Sequence, residues 1–236
     1  MEGYSLGKAP RNKASREKKI RKIKKILSQE RSKKTKSLLD IGTGGGFIAS
    51  SFSQDGIKVS SVDVVDYRVE KSGYTFKVVT SELLPFSDNS FDVVISNQVI
   101  EHVADASLHL QEMKRVLKQD GIIYLASPNK FWLTDPHYKL PFISWLPRPL
   151  SALYLRVFRG KKWDIYSLSL RTLKKLVRQN GLTMKDYGWE VLTHARKYEL
   201  KVNPAIGYML SVTPRFIGKG LLHIIPTHVK VLRKDA

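Results

Sequence analysis

Leu38-Leu39-Asp40-Ile41-Gly42-Thr43-Gly44-Gly45-Gly46 decides how the rest of this 236-residue chain is read. A short apolar run ends at Asp40 and Ile41, and a loop with glycine at every second position follows. The run predicts a buried parallel strand, and Phe47 onward predicts a helix. Gly42, Gly44 and Gly46 let the backbone turn sharply and leave no Cβ between it and a ligand. The helix start beyond them offers unpaired N–H groups and a positive dipole end. A turn of this kind after a first strand is where open α/β sheets take a nucleotide-like cofactor. The dinucleotide fingerprint G-x-G-x-x-G is met only as Gly42-x-Gly44, with Ala49 or Gly45 left to supply the third small residue.

The next block is Lys58-Val59-Ser60-Ser61-Val62-Asp63, a second strand ending in a carboxylate. Asp63 follows Gly42 by 21 positions, near the spacing of about 20 at which an acidic residue meets ribose hydroxyls in nucleotide folds. A carboxylate suits that role because it accepts from both hydroxyls at once. Further on, Ser81-Glu82-Leu83-Leu84-Pro85-Phe86-Ser87-Asp88-Asn89-Ser90 carries a turn signal, and Phe91-Asp92-Val93-Val94-Ile95-Ser96 reads as a fourth strand. Asn97-Gln98-Val99-Ile100-Glu101-His102-Val103 follows it, and Gly121 to Ser127 reads as a fifth strand.

Four of these blocks together resemble the class I S-adenosylmethionine-dependent methyltransferases, in their type 11 branch. Asp40-x-Gly42-x-Gly44-x-Gly46 is similar to the family's first motif, and residues 81–96 resemble its stretch "D-A-x-x-L-P-F-x-D-x-S-F-D-x-V". The resemblance covers residues 38–127 and implies a Rossmann-like, doubly wound α/β fold. That fold has a seven-stranded sheet, mostly parallel with an antiparallel last strand, and here an inserted cap. It implies S-adenosylmethionine as cofactor. The residues it points to are Asp40, Gly42, Thr43, Gly44 and Gly46 for the methionine end, Asp63 and Val64 for the ribose, and Thr80, Ser81, Glu82, Asn97 and Gln98 around the base and the strand ends. Where the family carries an Asp near the adenine amine this chain has Thr80, a weaker acceptor.

Composition narrows the chemistry. The chain has no cysteine, which excludes disulfides, cysteine nucleophiles, iron–sulfur clusters and cysteine zinc sites. Hydrophobic residues make up 42%, enough for a sizeable core. The first 37 residues hold no apolar stretch of a secretory signal, and no uncharged apolar run approaches the ~18 residues of a spanning helix. The expected location is the cytoplasm, with peripheral attachment to the inner face of a membrane.

The net charge of +20 is unevenly spread. Residues 1–37 hold 14 Lys/Arg against 3 Asp/Glu, and residues 139–178 hold 10 against 1, whereas residues 38–138 hold 8 against 13. Basic flanks around a mildly acidic cofactor half imply an anionic partner: phospholipid, nucleic acid or a pyrophosphate-bearing substrate. Residues 1–14 are expected to be a disordered basic tail. Over 15–34, Ile20, Ile23, Ile26 and Leu27 form a narrow stripe among lysines, a basic amphipathic helix that suits either an anionic membrane or packing on the domain. The cofactor core is assigned to 35–127.

Residues 128–166 leave the regular pattern. Three of the four tryptophans fall here among prolines, arginines and lysines, the make-up of an aromatic, basic substrate cap in which Leu150 to Phe158 is a candidate helix. Residues 167–236 complete the fold: a helix over 168–180, strand six over 182–192, broken helices over 204–225 and a final strand over 228–233.

If the acceptor is a hydroxyl, a general base helps, and histidine titrates in the right range. His102 is the first choice, with Glu101 as its orienter and His137 and Tyr138 of the cap as further candidates. Glu101, His102 and Asp105 offer donors for a divalent ion, but no second cluster supports metal dependence, and none is expected. The acceptor reading is a small-molecule or lipid-linked one: a glycolipid, a lipid-linked glycan or a quinone precursor. Nucleic-acid methylation is the alternative, disfavoured because the strand-four end lacks the Asn/Asp-Pro-Pro-aromatic motif. A non-catalytic assembly or membrane-binding protein is the third.

Overall fold

A computed structural model describes residues 13–200, 208–210 and 212–235. Seven strands form one sheet: β1 (Ser37–Ile41), β2 (Lys58–Asp63), β3 (Thr75–Val78), β4 (Phe91–Asn97), β5 (Leu117–Pro128), β6 (Leu182–Asp186) and β7 (Thr227–Lys234), in the order β3-β2-β1-β4-β5-β7-β6. β3, β2, β1, β4 and β5 run parallel, and β7 lies antiparallel between β5 and β6. The helices are α1 (Lys13–Glu30), α2 (Phe47–Gln54), α3 (Ala106–Val116), α4 (Arg148–Arg159), α5 (Leu170–Gln179), α6 (Gly188–Thr193) and α7 (Arg215–Leu221).

The strands are apolar on both faces because both faces are covered. Successive side chains alternate. Leu38, Val93 and Ile95 join Ile23, Ile26, Ala49, Phe52 and Val191 in one core, beneath α1, α2 and α6. Leu39, Ile41 and Val94 join Leu110, Met113, Leu173 and Val177 in the other, beneath α3 and α5.

The chain steps from β1 outward to β2 and β3, then returns to lay β4 on β1's other side. The strand order therefore reverses between β1 and β4, and the loops after these two strands flank the crevice where α/β sheets take their ligands. They touch: a Cβ on Gly42 would lie 2.4 Å from Val99 Cγ2.

Two expectations are corrected. The stretch 182–192 is strand only to Asp186; there the Asp186 carboxylate accepts from the Gly188 N–H at 2.8 Å and turns the chain into α6. Lys13 and Ala14 are already helical, while residues 1–12 of the expected tail lie outside the described residues. The expected broken helices over 204–225 are described only in part, with α7 inside them.

Of the two alternatives for α1, the structure shows the helix packed on the domain. Ile20, Ile23, Ile26 and Leu27 are all buried, Ile23 and Ile26 completely, so the stripe is spent on the protein's own core. Arg21 grips Glu199 with two bonds of 2.6 and 2.7 Å, and Glu30 at the other end binds Lys185 at 2.6 Å and Arg233 at 2.7 Å. Arg31 then pairs with Asp92 of β4 at 3.1 Å. No helix among the described residues is long and apolar enough to cross a membrane.

Candidate functional site

Asp40 is the penultimate residue of β1, 1% exposed, and neither carboxylate oxygen finds a hydrogen-bond partner. Burial, and then the charge of Asp63, push its pKa well above the ordinary carboxylate value; the Ala49 backbone amide nearby works weakly against them. Leaving such a group unpaired is expensive unless a ligand completes it. The loop beyond it runs through the left-handed region at Gly42 (φ 73°), Gly44 (φ 52°) and Gly46 (φ 82°). Side chains at Gly42 or Gly46 would strike Val99 or the Glu70 carbonyl, but around Gly44 the space is open. Gly42 and Gly46 are thus needed for the protein's own packing, and Gly44 faces the crevice.

Asp63 ends β2 beside that loop. Its carboxylate accepts from the Gly44 N–H at 2.7 Å and from the Val64 N–H at 2.7 Å, so it holds the loop in place while keeping further lone pairs for hydroxyls. Thr43 is turned inward: its hydroxyl donates to the Val62 carbonyl at 3.1 Å. Thr80 and Ser81 are exposed just past β3, whose Val78 pairs with Asp63. Glu82 turns away from them and accepts from the Ala104 N–H at 2.9 Å. Asn97 and Gln98 are half-buried at the end of β4, where Gln98 takes φ 62°, a conformation rare for a side-chain-bearing residue. The sheet therefore brings Asp40, Gly42, Gly44, Asp63 and Asn97 to one edge, with Glu82 engaged elsewhere.

The Gly loop has a third neighbour that sequence reasoning missed. The N–H groups of Val69 and Glu70 both donate to the Gly45 carbonyl at 3.0 Å. α1 also reaches this edge: the Arg16 guanidinium sits 4.3 Å over the Phe47 ring. Burial lowers the Lys19 pKa, followed by the charge of Arg16, while Glu101 raises it. Lys22 is pushed down to about 8 by burial and then by Lys19. Lys19 thus places positive charge near Glu101.

Beyond β4 the chain buries Glu101 completely, with both carboxylate oxygens unpartnered and a pKa pushed up to about 8 by burial. It is a neutral acid near pH 7 and makes no hydrogen bond to His102, so the expected orienting contact is absent. His102 faces His137 instead, edge to face with ring centroids 5.2 Å apart. Burial lowers the pKa of His102, and the neighbouring His137 adds to it. Burial lowers that of His137 as well, against Asp135 and Asp164. Both imidazoles are therefore neutral at pH 7. Glu101, His102 and His137 have donor atoms within 4.8 Å of one another and so could take a cation.

His137 is positioned by Asp135, a residue that no sequence pattern singled out. Its buried carboxylate accepts from the N–H groups of His137 and Tyr138 at 2.8 Å each and from the Ser144 hydroxyl at 3.2 Å. Tyr138 is a brace: its ring is buried with Leu140, Ile143, Leu155 and Ile165, and its hydroxyl donates to Asp164. Burial and that carboxylate raise its pKa. The cap is tied to the loop after β4, since the Tyr166 N–H donates to the Glu101 carbonyl at 2.8 Å.

Residues 39–125 match the family described as a methyltransferase domain. The chain is 28% identical over 182 residues to a ubiquinone biosynthesis O-methyltransferase of Pelagibacter ubique, covering 71% of this chain and 74% of that protein. It is also 28% identical over 160 residues to the protein of the same name from Bartonella bacilliformis, covering 63% and 60%; the chain thus spans about three fifths of that relative's length. A SAM-dependent methyltransferase from Methanosarcina mazei superposes with a TM-score of 0.56 at 17% identity, over 89% of this chain and 98% of that one. Residues 39–125 thus carry a methyltransferase domain, and S-adenosylmethionine is its cofactor. An unpartnered buried Asp40, and a Gly44 around which a ligand has room, fit that cofactor.

Proposed function

We propose that this methyltransferase methylates a hydroxyl on a quinone-like aromatic or lipid-linked acceptor presented near a membrane surface. The observation that carries the reading is the pair His102 and His137: two imidazoles held neutral, one from the loop after β4 and one from the cap, meeting near the carboxyl edge of the sheet. The names of the relatives, O-methyltransferases of ubiquinone biosynthesis, support the same chemistry.

When bound, S-adenosylmethionine supplies an electrophilic methyl group. Asp40, the Gly42–Gly46 loop and Asp63 would hold the cofactor, with Val64, Thr80, Ser81, Asn97 and Gln98 around it. His102 takes the hydroxyl proton on an imidazole nitrogen as the oxygen becomes a nucleophile. His137, set by Asp135, confines the acceptor and can relay the proton. Residues 128–166 act as the acceptor cap, whose rings exclude water and fix the approach for in-line transfer.

The test supplies methyl-labelled cofactor with an aromatic acceptor carrying a free hydroxyl, and with the same ring lacking it. Label should enter the hydroxylated ring alone, on oxygen. Transfer to an amine, to carbon or to structured RNA would replace this reading.

A further inference from the structure

The apolar stripe of α1 is buried in the core and presents no face to acyl chains. We propose that α4, with the aromatic turn before it, is a docking face for an anionic phospholipid bilayer. Within α4, Ser151 and Leu155 are buried against the cap. Leu150, Leu153 and Val157 recur at helical spacing on another face and are 51%, 58% and 69% exposed, with Phe158 beside them at 63%. Single exposed leucines are ordinary; a contiguous row on one helix is a contact surface.

The turn before α4 extends this face. Phe142 takes φ 55°, which a bulky residue rarely adopts, and its ring stands at the surface against Trp145 with centroids 5.2 Å apart. Trp145 in turn meets Phe131 at 5.9 Å. The Phe142 N–H donates to the Leu133 carbonyl at 2.7 Å, which fixes the turn.

Charge selects the occupant. Arg156, Arg159, Lys161, Lys162 and Lys139 are exposed around this face, and no ion pair joins them to a described residue. The one acid in residues 139–178, Asp164, accepts from Tyr138. A second copy of this chain would meet the same positive charges, which disfavours self-pairing. RNA would use the rings and the cations but not an aliphatic row. A bilayer uses all three: acyl chains for the leucines and valine, the interface for Trp145, and phosphates for the arginines and lysines.

The cap that carries this face also carries His137, so a bilayer docked on α4 would deliver a lipid-linked acceptor beside the imidazole pair. Only that last link rests on the proposed reaction; bilayer binding does not.

The full chain is titrated against vesicles of phosphatidylcholine alone and of phosphatidylcholine with phosphatidylglycerol, and retention is read by co-sedimentation. Binding should require the anionic lipid. Leu153→Glu with Val157→Glu, and separately Arg156→Glu with Arg159→Glu, should each weaken it about tenfold or more. S-adenosylhomocysteine binding should stay unchanged. In the unaltered chain, brominated lipid should quench tryptophan fluorescence, and Trp145→Phe should remove most of that quenching, a reading independent of how the α4 variants fold. Undiminished binding of both α4 variants, or no quenching, overturns the proposal. So does a dimer that the α4 variants dissociate while vesicles are not bound. Vesicle binding with no methylation of any hydroxyl would instead reject the reaction and leave the docking face standing.

Discussion

Gly44 separates the two uses of glycine in the cofactor loop. A side chain at Gly42 would collide with Val99, whereas one at Gly44 meets no protein atom within 4 Å. Gly44→Asp should therefore leave the protein folded, at a strain of about 1–2 kcal/mol from its positive φ, while filling the space the cofactor needs. Calorimetry should find S-adenosylhomocysteine binding abolished; micromolar affinity in the variant would reject the site. At the imidazole pair, His102→Gln should lower kcat by about 10²- to 10⁴-fold, with cofactor affinity unchanged. Activity should also survive a chelator. Loss of activity restored by a divalent cation would turn Glu101, His102 and His137 from a proton-transfer group into a metal site.

At the scale of elements, α1 decides more than its charge suggests. Its buried isoleucines belong to the core shared with β1, β4 and β7. Ile23→Ala should cost about 2–5 kcal/mol, a large part of a typical stability of about 5–15 kcal/mol, and urea denaturation would show it. Removing residues 1–30 should leave no cooperative unfolding transition, where a mere membrane anchor would be dispensable. α6 makes the complementary point. Val191 and Leu192 have strand-like composition, but Asp186 caps the turn and Tyr187 anchors on Glu30, so the segment closes into a helix over the core.

Across the whole molecule, two histidines are buried in neutral form. His109 pairs with the Ser96 hydroxyl at 3.0 Å, and burial pushes its pKa down to about 4. His228 bonds the Leu168 carbonyl at 3.2 Å and is lowered to about 4 by burial and then by Lys230. In the unfolded chain both would titrate near 6.5. The unfolded state therefore binds protons first as pH falls, and the stability these groups contribute is present above about 6.5 and lost toward pH 4. Relative to a His228→Asn variant, the unaltered protein should lose on the order of a few kcal/mol between pH 7 and pH 4. Urea midpoints of the two chains measure this, and a pH-independent difference would mean that His228 is not held neutral.

The sequence by itself determined the sheet and the cofactor edge. The short apolar runs of β1 and β4, the Gly42–Gly46 loop and the spacing to Asp63 are local patterns, and the backbone has few ways to satisfy them. It also placed His102 at the end of β4. Only the tertiary structure decided who faces whom. Asp135 and His102 lie far apart along the chain, and no spacing rule joins them; the cap's fold does so through His137. The same holds for the two basic amphipathic helices. In sequence α1 and α4 look alike, each with apolar residues at helical intervals among lysines or arginines. Whether such a stripe becomes core or surface depends on what the rest of the chain lays against it. α1 meets the sheet and disappears beneath it, while α4 sits on the cap and keeps its leucines in the open.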